Sequence, residues 1–363
     1  MGKRVLVTGA DTFWGGRVIQ ALEDDPDIEV ILGLGEHDPS VPFDRAEFVR
    51  ADQTYSILHR LVQATKVDTI IHTFLVSDST LAKSRALHEI NVIGTMNLLA
   101  AASAAGSNVT NLVVKSSTKV YGANERDPYW FSEDTRRSTP AKTMVERSLI
   151  EAEALIADFA IDRPQTAVSV MRFANVLSGG LATPITQNLS RPLCPILIGF
   201  DPLLQFVSAE DVVRTLEHAT RLQLRGVYNV AGDGRLPWSE IIAIVGSRPL
   251  PLPSLHHRIL MRPLAAAGIY EMPTELADLL RFGRGVDCAK ILATGFTFRR
   301  SSVAAVQAFG EHLRLDRSTG SEPLTYRYEH DLEQFFRRML SRKDARTGVL
   351  VCHLAYTTLK PAE

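Results

Sequence analysis

The 363-residue sequence predicts an α/β fold, a doubly wound parallel sheet followed by a smaller C-terminal lobe. Three observations carry this. Short apolar strand patterns alternate with helix-length amphipathic segments through the first 175 residues, and the first strand runs directly into a glycine-bearing turn. After Arg172 the rhythm breaks, punctuated by Pro184, Pro192, Pro195 and Pro202.

The elements follow in order. Val5 to Thr8 is a continuous apolar run, as expected of a strand covered on both faces, and Phe13 to Glu23 carries the spacing of a helix. Ile28 to Leu34 and Glu47 to Arg50 read as the next strands, and a helical pattern spans about 54–65. Asp68 to His72, Asn111 to Lys115 and Thr166 to Arg172 complete six strand signals, separated by long helical patterns at 80–105 and 141–160. The expected division is 1–175 for the first domain, 176–315 for a substrate lobe and 316–363 for a charged, partly ordered tail. Within the lobe, Gly226 to Gly234 (GVYNVAGDG) has the texture of a buried strand and is expected to return to the main sheet.

Composition excludes several functions. Lys plus Arg number 40 against 41 Asp plus Glu, a balance that rules out a strongly basic nucleic-acid binder. With 45% hydrophobic and 22% charged residues the chain has material for a large core. Cys194, Cys288 and Cys352 are odd in number and far apart, which gives neither a disulfide framework nor a C-x-x-C metal site, and His256-His257 lacks ligands at metal spacing. No metal is expected. The opening MGKRVLVTGA has no signal-peptide pattern and NLLAAASAAG is too short to cross a bilayer, so the expectation is a soluble cytoplasmic protein without membrane partners.

The turn TGADTFWGG sets Gly9, Gly15 and Gly16 between the first strand and the first helix, where backbone amides and a helix N-terminus face a pyrophosphate. An ordinary βα turn is the competing reading. In the pattern T-G-x-x-G-x-x-G the middle glycine is replaced by Thr12, whose side chain takes space at the phosphates, and Phe13 and Trp14 complete the turn. Gly35 closes the second strand. Glu36 and Asp38 follow it within reach of a ribose 2′-hydroxyl, with no arginine expected near to balance a 2′-phosphate, so the charge leans to NAD over NADP without excluding NADP. Asp52, next to Gln53 in FVRADQ, reads equally as an adenine acceptor or a helix cap.

TGADTFWGG, FVRAD at 48–52, VDTIIH at 67–72, HEINVIGTMNLLAAA at 88–102, KSSTKVYG at 115–122, MRFANVLSGG at 171–180, QFVSAEDVV at 205–213 and GVYNVAGDG occur in order. In this the chain resembles the extended short-chain dehydrogenase/reductase family, in particular its NAD-dependent epimerase/dehydratase branch, typified by UDP-glucose 4-epimerase. The resemblance implies a Rossmann sheet, NAD as cofactor, a nucleotide-sugar ligand, and a homodimer built on the helices at 80–105 and 141–160. It also implies roles. Gly9, Thr12, Phe13, Trp14, Gly15, Glu36, Asp52, Gln53, His72 and Ser116 fall at cofactor positions, Ser117 where a hydroxyl contacts the reacting sugar, Asn175 at the substrate diphosphate, and Asn91 on the supporting helix. Ser116 and Ser117 read equally as a strand end, Asn175 as a turn residue and His72 as a satisfied strand-end histidine. Arg281, Arg284, Lys290, Arg299 and Arg300 read either as a diphosphate contact or as a solvated face.

The family runs its chemistry with a Tyr-x-x-x-Lys pair one helical turn apart, in which the lysine lowers the phenol pKa from about 10. In this chain Val145 and Leu149 occupy those slots, no tyrosine lies between Tyr129 and Tyr228, and the sole Tyr-x-x-x-Lys is Tyr356 to Lys360 in the tail. Positioned acid–base catalysis contributes about 10² to 10⁴-fold, so its loss leaves room only for a slow enzyme or a different base. Lys142, Tyr121, Lys119 and Tyr129 are the candidate substitutes. Two expectations result: an epimerase-like oxidoreductase working through Ser117 with another base, or an inactive nucleotide-binding sensor or scaffold.

Overall fold

The first six strands, β1 (Lys3–Thr8), β2 (Ile28–Gly35), β3 (Glu47–Arg50), β4 (Thr69–His72), β5 (Asn111–Ser117) and β6 (Ala167–Phe173), form one parallel sheet in this computed structural model. The structure describes residues 2–80, 82, 84–253 and 272–319. His256, His257, Tyr356, Lys360 and Cys352 lie outside the described residues, as does most of the expected tail.

Helices cover both faces: α1 (Phe13–Glu23), α2 (Tyr55–Thr65), α3 (Ser84–His88), α4 (Thr95–Ser103) and α5 (Met144–Asp162). The continuous helix expected over 80–105 is instead α3 and α4 joined by a π-helical turn at Glu89–Gly94. Buried Asn91 in that turn reaches out of the helix. Its Oδ1 accepts from Val76 N at 2.7 Å, and its Nδ2 donates to Val76 O and Ser148 Oγ at 2.8 and 3.0 Å. An extra residue in the turn is a common device for aiming one side chain. A capping box starts α5, with the Thr143 side chain on Glu146 N and the Glu146 carboxylate on Thr143 N.

Beyond β6 come β7 (Asn175–Leu177), α6 (Pro184–Leu189), β8 (Leu193–Leu197), β9 (Leu203–Leu204), β10 (Phe206–Ser208) and α7 (Ala209–Leu222). Strand β11 (Gly226–Val230) then pairs with β6 in parallel, Gly226 opposite Ser169, giving the seven-stranded order β11-β6-β5-β4-β1-β2-β3. The chain continues through β12 (Leu236–Pro237), α8 (Trp238–Ile244), β13 (Arg248–Leu252), α9 (Thr274–Phe282), α10 (Ala289–Leu292) and α11 (Ser302–Thr319). Residues up to Leu313 form one compact unit.

Apolar clusters lie on either side of the sheet, one around Leu6, Ile70, Val145 and Leu149, the other around Val7, Ile19, Val207 and Leu216. A third gathers Phe206, Trp238, Leu276 and Phe309. Continuous apolar strands such as β1, β4 and β5 are thereby covered on both faces, which is why their sequences do not alternate. No helix among the described residues is long and apolar enough to span a membrane.

Candidate functional site

The β1–α1 turn is held by its glycines. Gly9 sits at φ +74°, a left-handed conformation that favours glycine. A Cβ on Gly15 would lie 2.1 Å from Gly9 O, so this helix packs onto the strand tip only with glycine there. Thr12 is the N-cap of α1: its hydroxyl donates to Gly9 O at 2.7 Å and accepts from Gly15 N at 3.2 Å. The threonine thus folds back onto the turn and satisfies one helix N-terminal amide itself, while the opened helix end keeps its dipole for an anion. This turn fits a pyrophosphate.

At the tip of β2 the structure adds two side chains to the expected set. Asp11 Oδ2 accepts from Glu36 N at 3.1 Å and His37 N at 3.0 Å, and a Cβ on Gly35 would lie 2.5 Å from Asp11 Oδ1. The carboxylate lying against the strand end therefore comes from the glycine turn. The expectation of no nearby arginine is corrected: the register of β2 and β3 sets Arg50 opposite Gly35, where its Nε donates to Glu36 O at 3.2 Å and NH1 lies 3.4 Å from Asp38 Oδ1. Fifteen residues of sequence separation hid a neighbour across the sheet. Asp52 accepts from Thr54 N at 3.3 Å and Thr54 Oγ1 at 2.9 Å, turning the chain into α2. Gln53 accepts from Asn97 through its backbone carbonyl at 3.1 Å, and its side-chain Oε1 is buried with no hydrogen-bond partner among the described residues.

The tips of β5 and β7, the loop after β4 and helices α6 and α9 enclose a cavity of about 110 Å³. At roughly 10–15 Å³ per water this holds several waters or one compact polar group. It is well below the roughly 300–1,000 Å³ of pockets that bury whole ligands. Trp14, Ser116, Ser117 and Asn175 line it, joined by Lys115, Lys119, Asp78, Glu275 and Arg284. Ser116 donates to Glu153 Oε1 at 2.5 Å, and Ser117 Oγ accepts from Lys119 N at 3.2 Å, starting the single 3₁₀ turn Thr118–Tyr121. Asn175 Nδ2 donates to Gln205 O at 3.3 Å.

Three cations, Lys115 and Arg284 buried and Lys119 half-buried, meet two buried carboxylates in this crevice. Lys119 Nζ donates to Ser77 O at 2.5 Å; burial pushes its pKa down, opposed by Asp78 and Glu275. Arg284 NH1 donates to Thr118 O and Gly122 O, both at 3.0 Å, and burial lowers its pKa to about 10. Glu275 accepts from the Ser79 hydroxyl, and Asp78 Oδ2 is buried without a partner among the described residues. Lys115, 5% exposed, places its Nζ 4.8 Å from the Trp14 ring centroid; burial and the neighbouring Lys119 lower its pKa to about 8. Neither Lys115, Asp78 nor Glu275 was singled out from the sequence. The available signal was a lysine ending an otherwise apolar strand in VVKSS.

Several expected residues lie elsewhere. Val145 and Leu149 are wholly buried in the core. Tyr121 is buried against Phe131; its hydroxyl donates to Asn229 Oδ1 at 2.8 Å and accepts from Arg172 NH1 at 2.8 Å, and burial raises its pKa. Lys142 is ion-paired with Asp278 at 2.7 Å, and Tyr129 is 68% exposed beneath the Arg235 guanidinium at 3.8 Å. His72 is fully buried, Nδ1 against Thr8 Oγ1 at 3.0 Å and Nε2 against Thr95 Oγ1 at 3.1 Å, and burial lowers its pKa to about 3. Phe13 carries Arg17 on its ring at 4.2 Å. Of the basic residues in the second half, Arg284 lines the crevice, Lys290 lies over Tyr228 and Arg299 pairs with Glu210.

The profile of the NAD dependent epimerase/dehydratase family matches residues 5–231, the span that builds the sheet, the glycine turn and the β5 tip. The chain belongs to this family. Uncharacterized proteins of Mycobacterium tuberculosis and Mycobacterium bovis are 31% identical to this family member over 318 residues, 86% of this chain and 84% of theirs. Among solved structures, MoeE5 in complex with UDP-glucose and NAD is 22% identical with a TM-score of 0.66, covering 87% of this chain and 100% of its own. A UDP-glucose 4-epimerase from Thermotoga maritima with UDP-glucose is 16% identical at a TM-score of 0.66, covering 86% and 98%. These structures share the fold of this epimerase/dehydratase family member.

Proposed function

We propose that this chain is a nucleotide-binding member of the epimerase/dehydratase family that recognises its ligand without phenol-based proton transfer. The observation that carries the reading is the complete burial of Val145 and Leu149, which leaves an aliphatic core where a proton shuttle would stand. Gly9, Gly15 and the N-terminus of α1 would hold the pyrophosphate of NAD, with Asp11 at the adenosine ribose. When bound, the dinucleotide would supply a hydride acceptor. Asp11, Glu36 and Asp38 against Arg50 leave excess negative charge at the strand tip, which favours a 2′-hydroxyl over a 2′-phosphate. Ser117, Asn175 and Arg284 would face the nucleotide-sugar portion of a ligand, a class supported by the UDP-sugars present in the solved relatives.

Titration with NADH and NADPH tests the reading. Enhanced, blue-shifted nicotinamide fluorescence is expected with NADH, at lower concentration than with NADPH, and no reduction of NAD is expected on adding UDP-glucose. Absence of binding by either dinucleotide at millimolar concentration refutes nucleotide binding, and steady turnover refutes the loss of chemistry.

A further inference from the structure

We propose that the inner end of the crevice is a recognition site for a small oxyanion, a carboxylate or phosphate group of the ligand, with the Lys115 ammonium as its principal contact. The inference rests on the reading of this crevice as the ligand site and requires neither a dinucleotide nor a sugar.

Lys115 is 5% exposed and lines the cavity. Among the described residues its ammonium makes no hydrogen bond or ion pair; its neighbours are the Trp14 ring and a second cation, Lys119. The aromatic face favours the charged amine but accepts no hydrogen bond. The carboxylates of Asp78 and Glu275 act on Lys119, which is also tied to Ser77 O. Among the side chains lining the cavity, Lys115, Lys119 and Arg284 against Asp78 and Glu275 leave one positive charge in excess; Glu146, which also acts on Lys119 and Arg284, is itself paired with Arg137, and Lys115 is the amine with free donors. A buried ammonium without a counter-ion is costly, and an oxyanion entering the cavity supplies both the charge and the acceptors. Ser117, two residues on along the strand and on the same face, adds a hydroxyl, and about 110 Å³ accepts an anion of this size.

The lowered affinity of Lys115 for its proton provides a signature. With a pKa of about 8 the amine is mostly charged at neutral pH; Lys119 is the charged group that acts on it, and Arg284, Asp78 and Glu275 are the other charged groups lining the cavity. Anion binding then weakens about tenfold per pH unit above that value as the proton is lost.

The test titrates the purified full-length protein with sodium phosphate and, separately, sodium acetate at fixed ionic strength, reading tryptophan fluorescence and thermal unfolding. A saturable change at millimolar concentration is expected, lost above pH 8 and absent in Lys115→Met, a change that removes the charge but keeps a packed side chain. Trp14→Phe should remove the optical change and keep the thermal one. The tighter of the two probes identifies the oxyanion as phosphate or carboxylate. Equal binding by Lys115→Met, affinity unaltered between pH 7 and pH 9, or no saturable response to either probe at tens of millimolar overturns the inference. A failed NADH titration does not, because the probes carry no nucleotide.

Discussion

Val145 and Leu149 show what a single side chain decides in this protein. Both have no exposed surface, so installing a phenol and an amine there inserts bulk and a charge into filled space. Overpacking costs about 1–3 kcal/mol, and an unpaired buried amine adds to that. The double variant Val145→Tyr with Leu149→Lys is therefore expected to melt several degrees below the parent in thermal denaturation and to gain no UDP-glucose-dependent reduction of NAD. An unchanged melting temperature accompanied by turnover would show that these slots open onto the crevice. That α5 carries no tyrosine was legible in the sequence, and the four-residue spacing of Val145 and Leu149 sets them on one helix face. The placement of Asp11 against Gly35 and of Lys115 against Trp14 was not, since each depends on contacts between separate elements.

At the scale of elements, the junction of β1 with α1 holds the closest approach at any described glycine. Gly15→Ala would place a methyl group 2.1 Å from Gly9 O, and backbone atoms on both sides cannot rotate away. The helix must shift off the strand tip, tilting the very amides expected to face a pyrophosphate. We expect a lowered melting temperature together with loss of NADH fluorescence enhancement; retention of both would show that the turn is looser than its contacts imply. The central strands β1, β4 and β5 were readable from apolar runs because each is covered on two faces, whereas the edge strand β3 has no buried residue. The helical pattern at 80–105 concealed its π turn, because hydrophobic spacing reports a buried face and is silent on one inserted residue.

For the whole molecule, the buried polar groups set the response to acid. His72 is neutral in the fold, with its pKa lowered to about 3 by burial, whereas in an unfolded chain it takes up a proton near the ordinary value of about 6.5. The unfolded state therefore binds more protons between these values, and stability present above pH 6.5 is lost as pH falls toward 3, by about 1.4 kcal/mol per pH unit. Chemical denaturation at a series of pH values should show this slope reduced in His72→Gln relative to the parent. Equal slopes would mean that His72 is protonated in the native state.

By itself the sequence determined the parallel α/β sheet, the glycine turn and the absence of the Tyr-x-x-x-Lys pair from α5. These are local properties, fixed by side-chain periodicity and by residue identity at known spacing. Only the tertiary structure decided that Arg50 stands beside Gly35, that His72 is sealed in the core, and that Lys115, Asp78, Glu275 and Arg284 share one small cavity. Parallel strands bring together residues far apart in the chain, and electrostatic environment belongs to that assembled neighbourhood rather than to any residue's place in the sequence.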